Sequence, residues 1–453
     1  MSSATEPPGF ADLEPLNRAR EQRAWYWYDW ANSAFVTTVS TVMFAPYLIE
    51  IAENAAVDDR VSLLGLSVAP GALPSYLITA STILSAFGLP ILGAFADRIA
   101  NKKALLAGFA WAGAAFGSLL FFCKGENWQV GAFAIVMANL CLAASLVFND
   151  AILPLISTED ERDRVSSRGW ALGYLGGFIL LSLNLVLFLF HDSFGVTEGF
   201  AVRVSMLSAC VWWAGFTCVP FLGLRNHPPR EMEDDPGGIV AESFVQLGRT
   251  LRDLREYPMA LTFLVAYLFF NDGIQTVIAS ASIYGSEQLD HSQTILIGTI
   301  LLVQFVAFFG ALAFGRAAER YGAKQVILFG LGIWMLIVTV ALFLPAHAVV
   351  PFLLMGAAIG IVLGGTQALA RSYFSLLIPR GKEAEYFSFY HAMDRGTSWF
   401  GTLVFGLVYQ FTGSYRPAIF ALIAFFVLGG AILTRVDTER GIREAGNVVP
   451  DNV

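Results

Sequence analysis

The residues best placed to do chemistry are charged side chains that interrupt long apolar stretches. Asp29 follows the aromatic run WYWY, Asp272 lies in FFNDGIQT, Arg371 in TQALARSYF, and Asp394 and Arg395 in HAMDRG. A charge inside a bilayer is costly, so such residues face a cavity or a partner and mark pathways for solutes or ions. These positions therefore indicate transport.

Asp272 is the deepest of these charges. It lies about 21 Å along a helix that starts near residue 258, close to the middle of a hydrocarbon core about 30 Å thick. Asn271 and Gln275 extend its polar patch. We expect Asp272 to bind substrate or protons; the alternative is a buried ion pair that holds helices together.

Asp29 begins a polar stripe at steps of three and four residues along an otherwise apolar helix. The other members are Asn32, Ser33, Thr37, Ser40 and Thr41. Such a stripe faces water or protein rather than lipid. Asp29 is a gate or proton site in one interpretation, and an interfacial carboxylate that orients the helix in the other.

Arg371 carries a planar guanidinium that can hold a substrate carboxylate at two points. It can equally pair with Asp394 or Asp150 as a structural strut. Asp394 and Arg395, with His391 one turn before them, place further charges in the same region of the chain.

Composition places these charges in a membrane protein. The chain of 453 residues is 56% hydrophobic and 14% charged, with a mean hydropathy of +0.61. Apolar runs of about 20 residues, the length of a membrane-crossing helix, recur from end to end. They predict an all-α membrane protein with twelve spans: 25–50, 74–96, 104–123, 128–153, 169–190, 202–224, 258–284, 293–315, 324–345, 350–378, 386–411 and 417–435.

The basic residues predict how the chain is oriented. Of 28 Lys and Arg, only Arg60, Lys124, Arg203 and Arg416 fall in the connections on one side. The positive-inside rule then places both termini in the cytosol. The acidic N-terminal segment lacks the basic and apolar regions of a signal peptide, so it predicts a cytosolic tail. The net charge of −8 gives no indication of a nucleic-acid partner, and we expect none.

The chain contains an internal repeat. GAFADRIANKKALL starts at Gly93 and GRAAERYGAKQVIL at Gly315, in register at glycine, acid, arginine and lysine. The repeat therefore predicts that the chain consists of two copies of a six-helix unit. The predicted organisation is a tail at 1–24, bundles at 25–224 and 258–436, a cytosolic linker at 225–257 and a tail at 437–453.

The linker carries its own pattern. Phe244, Leu247, Leu251 and Leu254 share one helical face beside basic residues, which predicts an amphipathic helix on the membrane surface or a solvated linker helix.

Catalytic and cofactor motifs are missing from the sequence. It has no P-loop, G-x-S-x-G or H-E-x-x-H motif. Its four cysteines and five histidines lack metal-ligand spacing. We therefore expect no enzyme activity, no cofactor and no metal site.

The repeated motif, the two six-helix halves and the long central loop resemble the major facilitator superfamily. This resemblance implies a cytosolic gate in which the acid and basic residues pair across the halves and separate when that side opens. The gate residues it implies are Gly93, Asp97, Arg98 and Lys102, with Gly315, Glu319, Arg320 and Lys324 in the second copy. The first copy departs from the family pattern at Ala100, where glycine is common; Gly322 restores it.

The stretch YDWANSAF points to one family within this superfamily. Together with DGIQT from Asp272 and GGTQALARSYFSLLIP before Arg380, it is similar to the vacuole effluxer family, typified by a vacuolar permease that releases amino acids. The compact length resembles a bacterial relative, which implies a cytoplasmic-membrane location.

We expect a monomeric secondary transporter that moves a small solute, most simply an amino acid, by alternating access, with protons as the coupling ion. A multidrug or sugar exporter and a transporter-like sensor without net flux are the alternatives.

Overall fold

A computed structural model describes residues 15–63, 65–97, 101–227 and 255–452, without the side chains of residues 15, 66, 293 and 395–399. The described chain is nearly all helical. Its α-helices are α1 Pro15–Phe35, α2 Phe44–Asn54, α3 Leu73–Ala96, α4 Lys102–Ser118, α5 Trp128–Ile156, α6 Arg162–Leu189, α7 Glu198–Gly223, α8 Pro258–Ile283, α9 Gln293–Tyr321, α10 Ala323–Ala341, α11 Val349–Leu377, α12 Glu383–Thr412, α13 Tyr415–Ala421, α14 Ile423–Thr434 and α15 Thr438–Glu444. The tail 1–14, Arg98 and the predicted linker helix lie outside the described residues.

Eleven helical segments of the described chain are long and apolar enough to cross a membrane. They match eleven of the predicted spans. The remaining predicted span, 386–411, lies within α12, whose part Phe400–Thr412 is a shorter apolar segment of the described residues.

Two predicted spans differ from the helices observed. Span 1 begins at Pro15 rather than residue 25, and α1 continues through a π-helical segment, Val36–Met43, into α2. Hydropathy misses the first turns because RAREQR is polar. Span 12 is divided into α13 and α14 at Leu422. A short hairpin of β1 Val61–Leu63 and β2 Leu66–Val68 connects α2 to α3.

The two halves meet along symmetric helix pairs. α3 packs on α12, and α6 packs on α9. Each contact has a motif glycine at its centre: a Cβ at Gly93 would lie 2.6 Å from Ser388 Cβ, and one at Gly315 would lie 2.6 Å from Ser167 Cβ. A side chain at either position would push the halves apart, so glycine is required for this close approach.

Both ends of the described chain lie at one end of the bundle, here called the terminal end. Near the N-terminus, Arg18 pairs with Glu161 at 3.0 Å. Near the C-terminus, the Asp451 N–H donates to the neighbouring Asp160 carboxylate at 3.1 Å. The last residues, 438–452, form a C-terminal strap across this end.

Candidate functional site

Arg371 of α11 connects the two halves of the molecule. Its Nη2 lies 3.0 Å from Asp29 Oδ2 of α1, and its Nη1 lies 3.1 Å from Asp150 Oδ1 of α5. All three side chains are almost completely buried. One guanidinium of the second half is thus held between two carboxylates of the first.

The guanidinium of Arg371 has no free donor left. Besides the two carboxylates, Nε donates to Ser166 Oγ at 2.9 Å and Nη2 donates to the Ser166 carbonyl at 3.0 Å. With Nη1 also donating to Asp29 Oδ1 at 3.4 Å, all five N–H groups are used. The ring of Trp25 lies 4.7 Å from the guanidinium carbon and adds a cation–π contact. In this state Arg371 holds the protein together and cannot bind a solute.

Asp150 also contacts α12. His391 Nε2 lies 2.9 Å from Asp150 Oδ2, a second link between the halves in the same layer. Asn149 supports both acids, since its amide donates to Asp29 Oδ1 at 3.3 Å and to Asp150 Oδ1 at 3.4 Å. We call Asp29, Asp150, Arg371 and His391 the bridging cluster.

Glycines of α6 bring α1 close enough for this cluster to form. A side chain at Gly169 would collide with the Asp29 carboxylate, and a Cβ at Gly173 would lie 2.7 Å from Ser33 Oγ. Ser33 is half-buried against this face, while Asn32 is buried and donates to the Tyr28 carbonyl at 2.7 Å. The polar stripe of α1 therefore packs against α6 over its first half.

A second polar cluster lies within the second half. Asn271 of α8 donates to the Asp394 carboxylate and accepts from Gln367 Nε2 at 2.8 Å. Tyr267 OH lies 3.4 Å from the same Asp394 oxygen. Asp394 does not pair with Arg371, so of the two struts predicted from sequence only that with Asp150 is observed. The Arg395 side chain lies outside the described residues.

Asp272 points away from both clusters, between α8 and α12. Its Oδ2 accepts the Gly401 N–H at 2.9 Å, while its Oδ1 is buried without a hydrogen-bond partner in the described chain. Gln275, one turn along α8, is half-buried. Asp272 thus forms a separate site.

The first copy of the repeated motif joins the halves at the terminal end. Asp97 accepts the N–H groups of Ala384 and Glu385 at 3.0 and 2.8 Å, so it caps the first turn of α12 from the opposite half. Lys102 Nζ lies 2.8 Å from Asp97 and 3.3 Å from Glu383. Burial raises the pKa of the Asp97 carboxyl, and Lys102 opposes that rise. The lysine thereby helps to keep this buried carboxylate charged.

The second copy makes different contacts. Lys324 donates to the Val436 and Thr434 carbonyls at 2.7 and 3.2 Å, within its own half. Glu319 lies 3.9 Å from Arg164 across the halves, with both side chains well exposed. Arg320 lies over the ring of Tyr321. The motif is symmetric in sequence, but its strong contacts between halves belong to the first copy.

Other contacts at the terminal end reinforce this closure. Arg162 Nη1 donates to the Ser375 carbonyl at 2.8 Å, and Arg380 pairs with Glu159 at 2.7 Å. A cavity of 1120 Å³ lies outside these contacts, lined by Asp163, Glu319 and residues of the C-terminal strap. It does not reach the bridging cluster.

The sequence singles out Asp29 and Arg371 and offers Asp150 as one of two partners for Arg371, but it does not predict that Asp29 shares the same guanidinium. Ser166 was not foreseen, because nothing in SSRGW distinguishes it from a packing serine. Among the described residues, no three His, Cys, Asp or Glu side chains are grouped to hold a metal.

Comparison with known proteins agrees with this architecture. Residues 17–446 match the family model described as "Vacuole effluxer Atg22 like". The chain is 31% identical to the uncharacterized MFS-type transporter YxiO of Bacillus subtilis, over 95% of this chain and 98% of that protein. It is 24% identical to autophagy-related protein 22-2 of Aspergillus niger, over 87% of this chain and 80% of that protein.

Solved structures share the fold at low sequence identity. The proton:xylose symporter XylE superposes with a TM-score of 0.70 at 9% identity, covering 93% of this chain and 96% of that one. The E. coli fucose:proton symporter FucP gives 0.64 at 15% identity, covering 93% and 98%. With its two bridged helical halves and a family match along nearly its whole length, the chain belongs to the vacuole effluxer Atg22-like family of major facilitator transporters.

Proposed function

We propose that this protein is a secondary active transporter that moves amino acids by alternating access and draws its energy from a cation gradient. The observation that carries this proposal is the bridging cluster. Its contacts cross from one half to the other at the terminal end, so they must break whenever that end opens.

Opening of the terminal end would change the chemistry of the cluster. Separation of the halves would release the Arg371 guanidinium from Asp29 and Asp150, leaving one cation facing two carboxylates. An amino acid carries the complementary groups: a carboxylate for the guanidinium and an ammonium for an aspartate. Trp25 beside the guanidinium would supply apolar surface for a side chain.

In the closed state the Asp29 carboxylate would take the place of the substrate carboxylate. Asp29 occupies the guanidinium fork when no solute is bound, so no buried charge is left unpaired. A solute carboxylate would replace Asp29 in the fork during the cycle. This exchange accounts for the fully used donors of Arg371.

We further propose that both termini face the cytosol and that the protein lies in the cytoplasmic membrane of a bacterium. The distribution of Lys and Arg supports this orientation. The terminal end would then be the cytosolic gate, closed in this structure. Protons are the coupling ion suggested by the sequence.

Uptake of labelled amino acids into proteoliposomes tests this function. The wild type should accumulate at least one amino acid when a proton or sodium gradient is imposed, and Arg371→Met should not. Arg440→Met is the matched control, because Arg440 lies at the surface and pairs only locally with Glu444. Failure of every amino acid in folded wild-type protein, with flux of a sugar or a drug, would overturn the substrate class.

A further inference from the structure

The first half of the molecule supplies every hydrogen-bond acceptor that surrounds the Arg371 guanidinium. Asp29 accepts through both carboxylate oxygens, and Asp150 accepts from Nη1 at 3.1 Å. Ser166 accepts through its hydroxyl at 2.9 Å and through its carbonyl at 3.0 Å. Five oxygens of three residues thus match the five N–H groups of one guanidinium.

Two indole rings complete this set of groups. The guanidinium carbon lies 4.7 Å from the ring of Trp25 and 5.4 Å from the ring of Trp170. A planar guanidinium stacks on aromatic faces, whereas a proton on one carboxylate would use neither ring. The lining therefore fits an organic cation of this shape. We call Trp25, Asp29, Asp150, Ser166 and Trp170 the guanidinium receptor.

Contacts within the first half hold the receptor in shape. Trp25 Nε1 donates to the Asn149 carbonyl at 2.8 Å, and the Asn149 amide donates to the two receptor carboxylates at 3.3 and 3.4 Å. A Cβ at Gly169 would collide with the Asp29 carboxylate and with the Trp25 ring, so glycine makes room for both. None of these contacts depends on the second half. The receptor therefore keeps its shape when the halves move apart as rigid bodies.

We propose that the guanidinium receptor, once the terminal end opens, binds the side chain of a cationic amino acid, with arginine as the preferred solute. This inference rests on the proposed transport function and narrows its substrate. Opening withdraws Arg371 with the second half and leaves the receptor facing the gap. The guanidinium of free arginine then fills the place of the Arg371 side chain, while its carboxylate binds Arg371 itself.

Charge balance favours a cationic solute over a neutral amino acid. With His391 neutral, the open gap contains the carboxylates of Asp29 and Asp150 and the single cation of Arg371. A zwitterion without net charge leaves one of these carboxylates without a cation, and an unpaired charge is costly inside a membrane protein. Arginine carries one net positive charge at neutral pH, so it balances both carboxylates.

Thermal unfolding of the purified full-length protein tests the receptor without any need for transport. L-Arginine is compared with L-citrulline, which has nearly the same shape but an uncharged ureido group in place of the guanidinium. Arginine should raise the wild-type midpoint at concentrations at least about tenfold lower than citrulline does. Because Asp97→Ala favours the open terminal end, it should respond to about fivefold less arginine than the wild type.

Two variants of the receptor test which groups recognise the solute. Asp150→Asn should reduce the preference for arginine over citrulline by about tenfold, because it removes a charge-assisted hydrogen bond. Trp170→Leu should reduce this preference by about three- to fivefold through loss of one cation–π contact. The preference compares two ligands on one variant, so it does not depend on how easily the terminal end opens.

Asp192→Asn is the matched control, because the Asp192 side chain is 95% exposed in the connection between α6 and α7. It should keep the wild-type preference. A cooperative unfolding transition without ligand shows that each variant is folded.

Equal midpoint shifts by arginine and citrulline in the wild type would overturn the receptor, as would a preference for arginine that survives both receptor substitutions. Uptake of leucine without uptake of arginine into proteoliposomes would also reject the cationic substrate, although the proposed transport function would stand. Conversely, an intact preference for arginine in unfolding with no uptake of any amino acid would support the receptor and reject the transport function alone.

Discussion

Arg371 and Asp29 form a two-point ion pair across the two halves, with nitrogen–oxygen distances of 3.0 and 3.4 Å, although 342 positions separate them in the chain. Neither residue is exposed to solvent. A buried pair of this kind contributes little net stability, but removal of one partner leaves an uncompensated charge. The pair is therefore suited to specify one state of the transporter.

Arg371→Met should strongly destabilise the protein, by about 3–5 kcal/mol, because Asp29 and Asp150 would face each other without a cation. Asp29→Asn should cost less, since Asp150 still balances the arginine. Thermal unfolding in detergent measures the difference.

Arg371→Lys serves as the control for charge alone. An ammonium cannot span the two carboxylates and Ser166 as a planar fork does, so stability should be recovered only in part. Equal stability of the Met and Lys variants would contradict a role for the buried charge.

Asp97→Ala should favour opening of the terminal end. The variant loses the cap that Asp97 provides for α12, and this cap exists only while the halves are in contact. Loss of a cap costs about 1 kcal/mol, so the ratio of open to closed protein should rise roughly fivefold. A reporter cysteine at the buried position Ser375, in a chain with Cys218→Ser, should react faster with a maleimide.

Asn101→Ala provides the comparison, because Asn101 caps α4 within its own half by accepting the Ala104 N–H at 3.2 Å. It should lower stability and leave the labelling rate of the reporter unchanged. Faster labelling in both variants would mean that the caps act only on stability.

Gly93→Leu should separate α3 from α12 at the terminal end. The added side chain would meet Ser388 and the Ala384 carbonyl, and such overpacking costs about 1–3 kcal/mol in the closed state. Labelling of the same reporter should accelerate. Gly88 also lies on α3 but faces open space, so in the Gly88→Leu variant the reporter should be labelled at the wild-type rate.

Hydropathy and the repeat predict most of the fold because each span is an apolar run bounded by charged connections. The start of α1 is missed, since its first turns are polar and lie outside the apolar run. The bridging cluster is only half predicted. Sequence marks Arg371 and Asp29 as costly charges, but partners hundreds of residues apart follow only from how α1, α6 and α11 cross.

The two copies of the repeated motif differ in one respect. The family resemblance implies gate roles for both Lys102 and Lys324, whereas Lys324 donates to the Thr434 and Val436 carbonyls at the end of α14 in its own half. The first copy has a second lysine, Lys103, which makes the equivalent contact with the Leu224 carbonyl at 2.6 Å. Lys102 is thereby free to bridge the halves.

Removal of residues 446–453 should loosen the terminal end. Asn447 donates to the Leu376 and Ile378 carbonyls at 2.9 Å each, at the end of α11, and Asp451 reaches Asp160. Hydrogen exchange at residues 379–384 should increase in the truncated protein. Val448→Ala, at a position that is 65% exposed, should leave exchange unchanged.

The most direct test of alternating access is a reversible lock between α6 and α11. Asp163→Cys with Ser372→Cys, in a chain with Cys218→Ser, places two cysteines where Ser372 Oγ donates to Asp163 Oδ1 across the halves at 2.5 Å, so that a disulfide can replace this contact. Amino-acid uptake into proteoliposomes is measured before oxidation, after oxidation and after reduction. Because transport by alternating access requires the terminal end to open, uptake should stop when the disulfide forms and return when it is reduced. Unchanged uptake by fully cross-linked protein would contradict it.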